Sequence, residues 1–397
     1  MELVLDIVGN LHPENDRNTL AKCSRVNKKW ADVASEVLWS HPQYTAFARL
    51  SPARKKYYAP LVKPLDVEED LPRHLYVATS RLQFPKLRTI TFTLKLRQNG
   101  TLIPFKQFFK PTLEVIRFNG LMELGKILHT IPVKCPDLKE LHLSRLSAHW
   151  RAHMIRDLVA KLPQLEAFSI NGMPGGNLLV APIIAAIADN HKIHTLSLKK
   201  NLTETGADQL VAQALARTTS FLGLKNLNIN LEGPVVARVP HFAQHVRSLT
   251  LHIHYPDYKV FDAAEAMPKL QSLAIVHGRH PGPISRMDLR KLHNLKSLRY
   301  LGLRAANSVS LRPQDLTALF YSLQQLKEFH WLVPTPNAPS ADIFIELGRH
   351  SQSLRALRTN QPFDLLSLYR SAPAPYFPQL EKMHLARELV SPDAFDA

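Results

Sequence analysis

The chain has 397 residues, 45% of them apolar and 21% charged, a composition that excludes a disordered polymer. Its 14 glycines are about half the usual share of about 7%. That scarcity leaves little material for phosphate-cradling loops and weighs against a nucleotide-dependent enzyme.

The net charge of +17 suits acidic partners. Residues 1–50 and 301–397 each sum to zero, so the excess lies in 51–300. There the cations are dispersed along the sequence, with Arg54-Lys55-Lys56 the densest group. Specific recognition of nucleic acid is therefore not expected. Two cysteines, Cys23 and Cys135, cannot build a disulfide framework or a spaced metal motif, and they suit a reducing compartment. Acids rather than bases open the chain (Glu2, Asp6), and the apolar stretch 178–188 is too short to cross a bilayer. A soluble protein of the cytoplasm or nucleus, away from membranes, is the expectation.

Residues 1–45 read as three short helices. Leu3, Ile7 and Leu11 recur at i, i+4, i+8 ahead of Pro13. Asn15 and Asp16 can cap a second helix through Leu20 and Cys23. Asn27 can cap a third with the face Trp30, Val33, Ala34, Val37, Leu38. Each is too short to stand alone, so the three must pack together or on a partner.

The spacing Leu3-Ile7-Leu11, then Leu20-Cys23-Val26-Trp30, then Leu38-Trp39, resembles an F-box. The resemblance implies that Leu3, Ile7, Leu11, Leu20, Cys23, Val26 and Trp30 build the helical module or meet a Skp-type adaptor. Through that adaptor, F-box proteins reach a cullin–RING ubiquitin ligase. Family members carry Leu-Pro just before the position of Glu2, where this chain has only Met1. The resemblance then implies a truncation or an upstream start, and a weakened adaptor contact. Without the resemblance, residues 1–45 read as a helical cap on the open edge of the next domain.

Residues 46–80 hold Pro52, Pro60, Pro64, Pro72 and the acidic run 68–70, and read as a linker or cap. From 81 to 397 one pattern recurs: an apolar residue at position 0, then at +3 and +5. It starts at Leu87/Ile90/Phe92 and Leu113/Ile116/Phe118, and ends at Leu380/Met383/Leu385. About twelve copies lie 22–31 residues apart. Six copies carry Pro at −2, against about one expected by chance; Pro ends a helix and is tolerated where a strand begins. Helices are expected between strands over Thr203–Arg217, Pro313–Leu323 and Ala341–Gly348, the last ending at its Gly.

Strand plus helix in units of this length resembles the leucine-rich-repeat horseshoe, in an irregular form whose expected Asn after the strand is clear only at Asn201. The fold class expected is α/β: a leucine-rich-repeat solenoid of about twelve irregular repeats (81–397), a linker or cap (46–80) and a three-helix F-box module (1–45). Alternation puts +2, +4 and +6 on the concave face. There Tyr300, Arg304, His330, Arg358 and Lys382 gather cations beside an aromatic ring, a set suited to an acidic peptide of a target protein.

No catalytic arrangement, cofactor motif or metal-ligand spacing is found; the nineteen histidines are scattered, His252/His254 and His241/His245 included. An F-box followed by such repeats resembles a substrate receptor of an SCF-type ligase, in the style of fungal members. The second reading is a repeat scaffold, binding protein or nucleic acid, outside any ligase.

Overall fold

A computed structural model describes residues 11, 16–68, 79, 81–94, 107–120, 125–145, 152–172, 180–216, 221–254, 259–278, 284–305, 313–334, 341–360 and 377–385. Leu3 and Ile7 lie outside the described residues. The chain divides into two compact units, Met1–Gly175 and Gly176–Ala397.

The first unit opens with helices α1 (Arg17–Cys23) and α2 (Lys28–Ser40). Asn27 caps α2 as expected, its side-chain oxygen accepting from the Trp30 N–H at 3.0 Å. Leu20 and Ala34 are fully buried where the two helices cross, with Leu11, Cys23, Trp30, Val33, Val37 and Leu38 partly buried around them. Two short helices follow, α3 (Tyr44–Ala48) and α4 (Pro52–Tyr58).

Five strands then pair in parallel and in sequence order: β1 (Pro64–Glu68), β2 (Thr89–Leu94), β3 (Val115–Gly120), β4 (Glu140–Ser144) and β5 (Ala167–Asn171). The register matches equivalent positions of the repeat, so that Leu65, Ile90, Ile116, Leu141 and Phe168 stand side by side. Every one is buried.

β1 lies in the segment read as a linker or cap. Residues 46–80 thus contribute a strand of the array, which begins near residue 62 and not at 81. The missed copy is Val62/Leu65/Val67, all three fully buried, with Pro60 at −2 and a spacing of 25 residues to Leu87. An aromatic cluster joins α3 to the sheet: Phe47 meets Phe84, and Tyr44 and Phe92 both meet Phe108, with centroids 5.8–6.2 Å apart. Phe92 stacks on Phe118 at 5.3 Å.

The second unit repeats the scheme with β6 (Thr195–Leu202), β7 (Asn226–Leu231), β8 (Ser248–Ile253), β9 (Ser272–His277), β10 (Tyr300–Arg304), β11 (Glu328–Leu332), β12 (Ala356–Thr359) and β13 (Lys382–Leu385). These also pair in parallel and in sequence order. Between strands run helices over Glu204–Ala216, Pro313–Ser322 and Ala341–His350, close to the expected spans. The last continues past Gly348. Arg349 and His350 both reach Glu346 from the final turn, at 2.5 and 3.2 Å, and hold that turn helical beyond the glycine.

Proline has a different role from the one expected. In each repeat the N–H of position 0 donates to the carbonyl three residues earlier, as from Leu87 to Phe84 and from Leu165 to Leu162, both at 3.2 Å. That closes a β-turn with −2 as its second residue. Proline's fixed φ suits that place in a turn, and its missing N–H costs nothing there. The strand starts only at +2. Copies without Pro make the same turn, as Val246 to Ala243 at 3.1 Å.

Candidate functional site

Positions 0, +3 and +5 are buried in nearly every repeat, which leaves +2, +4 and +6 on the opposite face of the sheet, most of them half-buried or exposed. Register then sorts that face into rows. In the second unit the +2 row runs Ser272, Tyr300, Glu328, Ala356, Lys382, and the +4 row runs Ala274, Gly302, His330, Arg358, His384.

Tyr300 and His330 form the best-defined pair on this face. The Tyr300 hydroxyl lies 3.1 Å from His330 Nδ1, and the rings meet edge to face at 5.1 Å. Gly302 makes this possible. A Cβ there would stand 2.7 Å from the Tyr300 hydroxyl oxygen and 3.0 Å from its ring, so the absence of a side chain lets the ring lie along the strand. Burial pushes the Tyr300 pKa up, with Glu328 adding to the rise and Arg358 opposing it. Burial also pushes His330 down, against Glu328 and with Arg358 and His384. Both shifts keep the proton on tyrosine and the imidazole neutral near pH 7. The phenol is a hydrogen-bonding group here and not an activated nucleophile.

Arg304 and Arg358 flank the pair. Burial lowers the Arg304 pKa first, and repulsion from Arg358 lowers it further, so the two guanidiniums feel one another. Arg358 stands beside His330 in register. Lys382 stands elsewhere: it is exposed in the +2 row, three strands beyond Tyr300, with Ala356 beside it. Alternation already puts Gly302 and His384 on this face, but the expected set left both out: a glycine offers no side chain to bind with, and only register shows that His384 continues the row next to Arg358.

A half-buried aromatic hydroxyl with two planar cations can fork onto a carboxylate, while Glu328 repels one placed directly over the +2 row. We expect Gly302→Ala to lift the Tyr300 ring and uncover His330. The His330 pKa should then rise toward the ordinary imidazole range in an NMR titration. An unchanged titration would contradict this packing.

In the first unit the corresponding face carries Glu140 between Arg117 and His142, each 3.2 Å from the same carboxylate oxygen. Charge there is internally balanced. Of the expected adaptor residues, Leu20 is fully buried, Leu11, Cys23 and Trp30 are half-buried, and Val26 is 61% exposed. Burial drives the Cys135 thiol up to about 12, which leaves it protonated and unreactive. Among the described residues no group of three metal-ligating side chains converges, and no helix is long and apolar enough to cross a membrane.

No protein-family model and no curated protein matches the chain. Among solved structures it is similar to one described as a crystal structure of a TLR13–ssRNA13 complex. The identity is 14% and the TM-score 0.49, over 86% of this chain and 49% of that one. It therefore spans about half the length of that protein. It is also similar to the leucine-rich repeat-containing protein LegL7 from Legionella pneumophila, with 14% identity and a TM-score of 0.41, over 75% of this chain and 94% of that one.

Proposed function

We propose that the chain is a non-catalytic binding scaffold that serves as a substrate receptor. An acidic segment of a target protein docks on the sheet face around Tyr300, Arg304, His330 and Arg358. The N-terminal helical module docks on a Skp-type adaptor, which connects the receptor to a cullin–RING ligase. The receptor adds no catalytic side chain. Its contribution to rate is effective concentration, since a tethered target meets the ubiquitin-charged enzyme as an intramolecular partner.

The observation that carries the reading is the incomplete burial of the helical module. Val26 is 61% exposed, and Leu11, Cys23 and Trp30 stay half-buried around a closed Leu20–Ala34 contact. One exposed apolar side chain with half-buried ones around it, beside a packed helix pair, suits a protein contact. These are also positions that the F-box resemblance assigns to the module and its adaptor.

Co-expression with a Skp-type adaptor should give a one-to-one complex on size-exclusion chromatography. The double variant Leu11→Asp/Val26→Asp should abolish it while the receptor still elutes as a folded species. No complex with the intact chain, or one that survives the double variant, would sink the reading. Val26→Asp alone should change stability by less than about 0.5 kcal/mol, because its side chain faces water already.

A further inference from the structure

The cations that look dispersed in sequence are aligned by the fold. In each repeat the residue at +1 bridges turn and strand, and its carbonyl accepts from the N–H groups of the next repeat. This backbone ladder runs unbroken through Lys225, Arg247, Gln271, Arg299, Lys327 and Arg355, with consecutive N–H···O distances of 2.7–2.8 Å. One residue every 22–28 positions thus becomes one side chain per rung. At a strand spacing of about 4.8 Å, five steps place about 24 Å between the first and last of the column.

The equivalent column of the first unit mixes signs: Lys63, Arg88, Glu114, Lys139, Glu166. Its cations are partly neutralised by their own neighbours, with Arg88 and Lys139 at 3.2 and 3.3 Å from the two oxygens of Glu114. The second-unit column contains no acid until Glu381, which lies 3.8 Å from Arg355 at the far end. Among the described residues no ion pair engages Lys225, Arg247, Arg299 or Lys327, nor Lys269 and Lys296 in the turns beside them. Like charges on adjacent rungs repel. A column of them, solvent-facing and uncompensated, is an electrostatic surface suited to a linear anion.

We infer that this column is a binding strip for the phosphodiester backbone of a nucleic acid. In the repeats from Gln244 to Ser353, the two turn residues before position 0 are Gln, His, Ser and Lys, with a single Pro. Over these repeats the turns offer cations and hydrogen-bonding groups, and the exposed apolar side chain of the strip's turns is Leu222, at the Lys225 end. A protein ligand of similar affinity draws most of its binding energy from apolar or aromatic anchors, whereas phosphate oxygens need only donors and positive charge. The exposed acid closest in sequence, Glu328, belongs to the +2 row of the target-binding face and not to this column. The strip is thus separate from the face around Tyr300.

A labelled 20-nucleotide single-stranded RNA, titrated into the full chain across a salt series, tests this by fluorescence anisotropy. Each phosphate neutralised contributes about 0.7 to the slope of log affinity against log salt. The triple variant Arg247→Gln/Arg299→Gln/Lys327→Gln should lose about 2 from that slope and about 100-fold in affinity at about 0.1 M salt. Arg247→Lys/Arg299→Lys should keep the slope, and the thermal melt of both variants should match the parent. Four outcomes would overturn the assignment: no RNA binding by the parent, an unchanged slope in the triple variant, a lost slope in the lysine variant, or equal binding of a 20-residue polyglutamate. The last would make the strip a site for acidic protein. Arg304→Ala/Arg358→Ala on the other face should leave RNA binding intact, and a loss there equal to that of the triple variant would also overturn it.

Discussion

Phe118→Ala is expected to lower the unfolding free energy of the chain by about 3–5 kcal/mol, the range for a large aromatic side chain removed from a packed core. Phe118 is fully buried on β3 and stacks at 5.3 Å on Phe92, itself fully buried on β2. Phe92 in turn meets Phe108 and Phe109 at 6.2 and 6.3 Å. Removing one ring leaves a void whose walls belong to neighbouring strands held in register by the backbone ladder. Those strands cannot move inward without breaking hydrogen bonds, so the cavity stays largely open and its cost is added to the lost burial. Urea denaturation followed by circular dichroism would measure it. Val133→Ala, at a side chain 77% exposed, provides the contrast and should shift stability by no more than about 0.5 kcal/mol. Equal effects of the two variants would mean that the aromatic cluster does not hold the first unit together.

Acid should weaken the fold through His277. This residue ends β9, is 6% exposed, and neither ring nitrogen has a hydrogen-bond partner. Burial lowers its pKa to about 4, even though Asp288 on the neighbouring helix pulls the other way. In the unfolded chain the same imidazole titrates near 6.5. Between those values the unfolded chain holds a proton that the folded chain does not, so stability is full above about pH 6.5 and falls as pH drops. The expected loss is about 3 kcal/mol by pH 4. His142, His252, His293 and His330 are shifted down by burial as well and act in the same direction. Denaturation midpoints of the parent and His277→Leu should converge as pH rises from 4 to 7 and separate again in acid, because the variant lacks this proton. Parallel curves would show that His277 is not held neutral by its surroundings.

The repeat was legible because burial in a parallel sheet imposes it. Ile90, Ile116, Leu141 and Phe168 occupy one row, and any polar residue there would lose water without gaining a partner. The same reasoning could have found Val62/Leu65/Val67. The clustering of prolines in 46–80 suggested a linker, but Pro60 takes the place in the turn that Pro85 and Pro163 take later. The helices were legible to within a few residues for the same reason: Leu316, Leu319 and Phe320 face the core, and the 3.6-residue period records it. The end at Gly348 was misplaced because side-chain pairing to Glu346 overrode a weak stop signal.

The candidate sites were less legible, since they depend on which repeats stand side by side. Tyr300, Arg304, His330 and Arg358 could be assigned to one face from alternation alone. That Tyr300 bends over Gly302 to reach His330, and that Lys382 stands apart from them in the +2 row, are facts of register and of free space. Local spacing, and what water rejects, were enough to set the period, the buried rows, and the sign and amount of charge. Where that charge lies came only from the packing of repeat on repeat. Residues some 25 positions apart carry no mutual signal along the chain, but the hydrogen-bonded ladder sets them one rung apart. A scatter of lysines and arginines there becomes a line.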